Sequence, residues 1–362
     1  MAPPCNARAS PATGKSAASC ARCARPSRGR QTVSSCRFTR PAPRSTSRLP
    51  MHRSAICSRR TYRSSNGTNM ADLLTLHARA KINLHLRVLG RLPGGYHALE
   101  TVYHSVDLSD TLTFSAGGSG VTVECDDDTI PTGPDNLVAR AADAFFRFTG
   151  TAGGLRASIK KRIPAGAGLG GGSADAAATL VALNRLYETR YPVAVLERLG
   201  ASVGADVPFC IRGGAARGFG IGTELTPLEP LTGLHALVVN PGIHVDTTSA
   251  YRALKARPVG HGPGMNPTAA GAAILRAWRE AAPAAVNSFE EPVFAAHRAV
   301  RELRDRLRAH GAAAMMTGSG STVFGVFQDA EALAAARSAM SDQPFVVVTS
   351  FAGCGVVDAR PS

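Results

Sequence analysis

Long apolar runs are missing from this 362-residue chain, and no stretch approaches the ~18 residues that a membrane span requires. The pattern GxxxxGK[ST] is also missing, which excludes the P-loop class of nucleotide enzymes. Cysteine is scarce where it would matter. Five of the eight (Cys5, Cys20, Cys23, Cys36, Cys57) lie near the N-terminus, and Cys20-x-x-Cys23 has no second pair or histidine at zinc spacing. Cys125, Cys210 and Cys354 are scattered, which argues against a disulfide framework and fits buried thiols in a reducing compartment.

Acidic residues are absent from positions 1–71, which hold fourteen of the 41 Lys and Arg; the other 27 face 26 Asp and Glu. The formal charge of +15 is therefore a property of the leader, and the near-neutral body gives no electrostatic case for nucleic acid or a membrane surface. Segment 1–69, rich in Arg, Ser, Pro and Ala without apolar periodicity, is expected to be disordered. Its composition resembles an organellar transit peptide, which would place the protein in a plastid stroma. The reading favoured here is an upstream start-site artefact. Translation then begins at Met70, directly before the first foldable stretch Ala71-Asp-Leu-Leu-Thr-Leu76, and the protein is cytoplasmic and bacterial.

The most informative segment is Pro164-Ala-Gly-Ala-Gly-Leu-Gly-Gly-Gly-Ser-Ala-Asp-Ala-Ala-Ala178, with five glycines in the seven positions 166–172, running into an Ala-rich helix. Glycine lets main chain approach an anion closely, and a helix N-terminus supplies unpaired amides and partial positive charge; Ser173 is the expected N-cap. A flexible surface loop is the alternative, but such loops carry mixed Ser, Pro and charge and do not feed a helix. Gly166-x-Gly168-x-x-Gly171 satisfies the dinucleotide fingerprint, yet that fingerprint follows a continuously apolar parallel strand. Here Leu155, Ala157 and Ile159 alternate with Arg156, Ser158 and Lys160, the signature of a half-exposed, antiparallel strand.

About 290 residues follow the leader, enough for two domains, expected over 72–230 and 235–358 with a boundary at 227–233. The patterns predict a strand over 76–88, a hairpin of 111–114 with 121–125, and helices over 136–148 and 173–187. Beyond the boundary they predict strands over 236–239 and 322–327. One helix is expected over 293–310, with Val293, Ala296, Val300, Leu303 and Leu307 inward.

Three further segments carry candidate chemistry. In Ala80-Lys-Ile-Asn-Leu84, strand alternation puts Lys81 and Asn83 on one face; Lys81 is a solvated strand charge unless that face lines a cleft. In Gly204-Ala-Asp-Val-Pro208, Asp206 is either a turn former bonding its own backbone or a proton acceptor opposite the phosphate loop, kept ionised by a nearby lysine. Met316-Thr-Gly-Ser-Gly-Ser-Thr-Val-Phe324 is either a tight turn or a second brace for the same phosphates.

These segments, with Gly94-Gly-Tyr-His97, Asp135-Asn-Leu137 and Asn240-Pro-Gly242, resemble the GHMP family of small-molecule kinases over roughly 75–360. The resemblance implies a two-domain α+β architecture: an N-terminal mixed-sheet domain with the Gly-rich loop and a C-terminal ferredoxin-like α/β sandwich. It implies ATP with Mg²⁺, its ligands unknown. The γ-phosphoryl would pass to the 2-hydroxyl of a small polyol carrying a cytidine diphosphate, in non-mevalonate isoprenoid precursor synthesis. Mevalonate, homoserine or a sugar are rival acceptors, and a non-catalytic nucleotide or nucleic-acid binder using arm 1–69 is a rival class.

Carried over by position, Lys81 and Asp206 are catalytic. Pro164, Ala165, Gly166, Ala167, Gly168, Leu169, Gly170, Gly171, Gly172, Ser173 and Ala174 wrap the ATP phosphates, with Asn136 near the adenine. Asn83 bonds the polyol, Tyr96 stacks on the cytosine, His97 reads its polar edge, and Thr247 and Tyr251 close that pocket. From the residues alone, Tyr96 and His97 are ordinary half-buried aromatics of a turn. Three positions depart from the family pattern: Gly95 for Asp, Asp175 for a frequent Asn, and Asp246-Thr-Thr248 for a Pro-flanked Thr. A carboxylate at 175 suits the helix dipole but repels phosphate, so it either holds a cation or points away. A monomer or homodimer is expected.

Overall fold

The computed structural model describes residues 73–92, 94–254, 267–281 and 285–359. The leader expected over 1–69 and the initiator Met70 lie outside the described residues. Strands β1 (Leu74–Arg91) and β2 (His97–Ala116) form a long antiparallel hairpin. Next come β3 (Gly120–Cys125), α1 (Leu137–Thr149) and β4 (Gly154–Lys160), and the alternation holds in β4, where Leu155, Ala157 and Ile159 are buried.

Residues 111–114 and 121–125 do not pair as a hairpin. β4 lies between them, antiparallel to β2 and parallel to β3. The apolar face of α1 (Val138, Ala141, Ala142, Phe145) must cover the sheet, and a helical crossover from β3 returns the chain in parallel register.

Three helices, α2 (Gly171–Leu186), α3 (Val193–Ala201) and α4 (Val207–Arg212), cover the same face, and the hairpin β5 (Ala215–Phe219) with β6 (Glu224–Leu228) extends β2. The stretch 227–233 therefore starts inside a strand. The small side chains Ala174, Ala176, Ala177 and Ala178 are fully buried and let α2 sit close to the sheet, with Leu180 and Leu183 completing the core.

The second half runs β7 (His235–Asn240), α5 (Thr247–Ala253), α6 (Pro267–Arg279), α7 (Glu290–Ala296), α8 (Arg298–Ala309), β8 (Ala313–Met316), β9 (Val323–Phe327), α9 (Ala330–Ala339), β10 (Phe345–Ala352) and β11 (Val356–Asp358). Its strand order is β10-β7-β9-β8, all antiparallel, with helices between β7 and β8 and between β9 and β10, the ferredoxin-like arrangement. Phe351 and Ala352 of β10 pair with Val106 and Ser105 of β2, so the two sheets meet along the long hairpin. The indole of Trp278, fully buried, donates to Leu84 O at 2.8 Å and ties α6 to β1.

The single helix expected over 293–310 is two. His297, at φ −131°, separates α7 from α8, and Ala296 is exposed rather than inward. The break lets Val293 and Phe294 pack in one direction while Val300, Leu303 and Leu307 lie along β8 and β9. Among the described residues no helix is long and apolar enough to cross a membrane.

Candidate active site

Residues 161–170 leave β4 and enter α2 through the glycine loop. Ser173 does not cap the helix. The cap is Gly170 at φ 70°, which offers no side-chain acceptor, so the first-turn amides stay available to an anion. Gly170 is required there twice over, because a Cβ would also meet the Lys81 stem at 3.0 Å. Gly168 is equally constrained: at φ 76°, a Cβ would lie 2.4 Å from Thr317 O. The loop thus packs main chain against main chain on the 317–322 turn. Gly166, Gly168, Gly170 and Ser173 line a cleft of about 770 Å³, as do Gly318 and Ser319 of that turn. Ala167, Leu169 and Ala174 point into the core and contribute only backbone.

Lys81 is no solvated charge; it is 4% exposed and Asn83 is 2% exposed. Register shifts in the β1–β2 ladder on both sides of this pair aim them off the regular pleat. Lys81 Nζ lies 3.2 Å from Asp206 Oδ2 and donates to Asn83 Oδ1 at 2.9 Å. Asn83 Oδ1 also accepts from Gly318 N (3.1 Å), and its Nδ2 donates to Thr101 Oγ1 (2.8 Å). That amide is largely committed to orienting the lysine and the second loop.

Asp206 stands at the N-terminus of α4 without capping it, so it is not the turn former bonding its own backbone. Its carboxylate faces the cleft instead, where the Tyr103 hydroxyl donates to Oδ1 at 3.0 Å. Burial, and then the Asp206 charge, hold Tyr103 well above the ordinary phenol range and push Tyr251 up to about 12. Burial likewise raises the Cys210 thiol. Tyr103, Tyr251 and Cys210, which surround that carboxylate, thus keep their protons.

At the other end of the same cleft, Tyr96 is 64% exposed on the β1–β2 turn. His97 stacks on Tyr251 (centroids 4.6 Å, 23°), and Tyr251 meets Phe289 edge-on at 4.8 Å. His97 Nε2 is buried without a hydrogen-bond partner among the described residues. Burial, then Arg91, lowers its pKa and favours the neutral ring. Thr247 Oγ1 lies 2.9 Å from Ser319 Oγ, linking α5 to the second loop.

The departures have local causes. Gly95 sits at φ 88°, where glycine replaces Asp without strain. Asp246 caps α5 through Ser249 N. Asp175 turns away from the loop to Lys161 at 2.9 Å. Asn136 does not line the cleft: its Oδ1 caps α1 through Val138 N, and its Nδ2 donates to Pro131 O.

Sequence reasoning did not single out Tyr103, Phe289, Arg91, Arg252 or Asn287. The first four line the cleft, and Asn287 Nδ2 donates to Met316 O and Gly318 O, fixing the second loop. An aromatic in a strand reads as core, and no local pattern distinguishes these residues.

Residues 136–214 match the GHMP kinases N terminal domain, and 269–345 match GHMP kinases C terminal. A 4-diphosphocytidyl-2-C-methyl-D-erythritol kinase of Moorella thermoacetica is 43% identical over 283 residues, covering 77% of this chain and 99% of that protein. The enzyme of the same name from Pelotomaculum thermopropionicum is 41% identical, covering 77% and 98%. A crystal structure of 4-(cytidine 5'-diphospho)-2C-methyl-D-erythritol kinase superposes with TM-score 0.65 at 36% identity, over 77% of this chain and all of that one. A homoserine kinase from Cytophaga hutchinsonii superposes at 0.62 with 18% identity, over 81% and 99%, which shows the fold alone. With a glycine loop, an aspartate and a lysine converging in one cleft, and with these relatives matched over nearly their whole length, the chain belongs to the 4-diphosphocytidyl-2-C-methyl-D-erythritol kinase family of GHMP kinases.

Proposed function

We propose that this protein transfers the γ-phosphoryl of ATP to the 2-hydroxyl of 4-diphosphocytidyl-2-C-methyl-D-erythritol, a step in non-mevalonate isoprenoid precursor synthesis. The observation that carries the reading is the Lys81–Asp206 pair at 3.2 Å in a cleft that also holds the glycine loop and the Tyr96, His97 and Tyr251 cluster. Asp206 accepts the hydroxyl proton as that oxygen bonds to the γ-phosphorus, and the bond from phosphorus to the β-bridging oxygen breaks to release ADP. Tyr103 orients the carboxylate through Oδ1. Lys81, aimed by Asn83, offsets negative charge on the transferring group.

The glycine loop fits a triphosphate, since its positive-φ glycines leave room where a Cβ would collide and the helix behind it has no side-chain cap. Mg²⁺ would neutralise charge on the phosphates. Among the described residues no three His, Cys, Asp or Glu converge to hold it, so it would arrive on the nucleotide. At the far end, Tyr96 stacks on the cytosine, the orphaned Nε2 of His97 reads its polar edge, and Thr247 and Tyr251 close the pocket. The relatives named above are bacterial, which is in keeping with a cytoplasmic enzyme.

Coupled ADP release on the cytidylylated polyol, run beside mevalonate and homoserine, tests the assignment. Turnover on the first alone is expected, and comparable turnover on either of the others overturns it. Asp206→Ala is expected to lower kcat by about 10²–10⁴-fold with little change in ATP affinity; near wild-type turnover removes Asp206 as the base.

A further inference from the structure

Beneath the glycine loop lies a group of charges that the mechanism above does not use. Lys161 Nζ sits between two carboxylates, 2.5 Å from Asp110 Oδ2 and 2.9 Å from Asp175 Oδ2. The three side chains are 8%, 0% and 6% exposed. Asp110, on β2, also accepts from Arg162 N (2.6 Å) and Ile163 N (2.9 Å), the residues immediately before Pro164. Asp175 lies in α2 beyond its first turn, three residues past Gly172, the last loop glycine. One cluster therefore grips both ends of the loop: Asp110 holds its entry by main chain, and Lys161 reaches across to its exit. A Cβ on Gly171 would lie 3.4 Å from Lys161 Nζ, so the bridge runs close under the neck of the loop.

The donors are shared unequally. Asp110 receives three, Lys161 Nζ and two main-chain amides. Asp175 receives only Lys161, and its Oδ1 is buried with no partner among the described residues. Two carboxylates and one ammonium leave a net charge of −1 in a dry site, and a single proton cancels it. Asp175 is where that proton is best placed, because its unpartnered oxygen gains least from staying charged.

We propose that Asp110, Lys161 and Asp175 are positioning residues that close the nucleotide loop at its neck, and that one proton on this cluster sets the affinity for the triphosphate. The proposal rests on the kinase reading for its ligand. With the proton bound the neck is neutral; without it, a buried negative charge lies behind the helix N-terminus that attracts phosphate. Burial, partly opposed by Lys161 and reinforced by Asp110, pushes Asp175 up to about 7. Those two are the charged groups acting on it; Cys210 of α4 keeps its proton and adds no charge.

The test uses the full chain, with Asp175→Asn as a near-isosteric variant fixed in the neutral state. Binding of the nonhydrolysable analogue AMP-PNP is measured calorimetrically from pH 6 to pH 9. The analogue's own titration is common to both proteins. Wild-type affinity is expected to fall about five- to tenfold more than that of the variant across this range, as one added buried charge behind the phosphate loop implies. In steady state the difference falls on KM for ATP rather than on kcat. Parallel pH profiles overturn the proposal.

A second measurement needs no nucleotide. The raised folded-state pKa means that stability held by the proton is fully present below the ordinary carboxylate pKa of 3.8 and is lost as pH rises through about 7. The melting temperature of the wild type should therefore decline relative to Asp175→Asn between about pH 4 and 7, and a pH-independent difference overturns the proton assignment. If neither protein binds AMP-PNP, the kinase reading fails while the melting curves still decide the cluster's chemistry.

Discussion

At one end of the cleft Gly166, Gly168 and Gly170 present main chain, with the loop pressed so tightly on the 317–322 turn that a single methyl would not fit at 168. At the other end Tyr96 stands 64% exposed on a turn and His97 leans on Tyr251, side chains on side chains. On the proposed assignment, a phosphate, which offers charge in every direction, would be met by amides fixed in place. A pyrimidine, which offers a flat face and one polar edge, would be met by rings that the ligand itself completes. The first end is therefore rigid before the ligand arrives, and substitutions there cost fold and function together. At the second end, function is separable from fold.

Gly168→Ala breaks that contrast most severely. The new Cβ lies 2.4 Å from Thr317 O at a φ of 76°, so either the loop or the turn must shift. A displacement near 1 Å at the reacting phosphate is expected to lower kcat/KM about a hundredfold, and the strain to lower stability by about 1–3 kcal/mol. Gly172→Ala serves as the control. Its Cβ meets only Leu137 Cδ1 at 3.2 Å, without positive φ, and a much smaller effect is expected on both readings. Equal effects at 168 and 172 would mean that the loop is not held by the turn.

Tyr96→Ala probes the other end and should dissociate the two readouts. Loss of one stacking platform is worth about 1–3 kcal/mol, seen as a rise in KM for the cytidylyl substrate, with KM for ATP unmoved. Because the ring is largely exposed, the melting temperature should stay close to wild type. An unchanged KM for the cytidylyl substrate would remove Tyr96 from the base pocket.

The same contrast governs what the chain reveals before folding. The glycine loop is a backbone device, and backbone devices leave a local mark: five glycines ahead of an Ala-rich helix point to an anion with no tertiary information. The fold class follows from alternation in the strands and from the family pattern. Tyr103 and Phe289 leave no such mark, because an aromatic in a strand or beside a helix is indistinguishable from core until the fold shows its polar tip or open face reaching the cleft. Lys81 is the intermediate case. Alternation gives the face it shares with Asn83, but only the assembled hairpin turns that face from solvent to site. The differences between pattern and structure are likewise non-local. Residues 111–114 and 121–125 form no hairpin because α1 carries the chain back so that β4 lies between them, and 293–310 form two helices because two packing directions cannot be served by one straight axis.

Asn136 gives the smallest effect and the sharpest discrimination between the family pattern and the geometry. Position by position it falls near the adenine. In the structure its Oδ1 accepts from Val138 N at 2.8 Å, and its Nδ2 donates to Pro131 O, so both ends of the amide serve the start of α1. Losing an N-cap costs about 1 kcal/mol, which in a body of this size lowers the melting temperature by about 2–4 °C. Asn136→Ala should show that shift with KM for ATP changed no more than about twofold, and Asn136→Asp, which keeps the acceptor for Val138 N but sets an oxygen against Pro131 O, should recover only part of the stability. If KM for ATP rises tenfold in both variants while the melting temperature holds, the amide acts on the nucleotide. The base of ATP would then also be read by side chains, and the division between main-chain and side-chain recognition would fall within the nucleotide rather than between the two ends of the cleft.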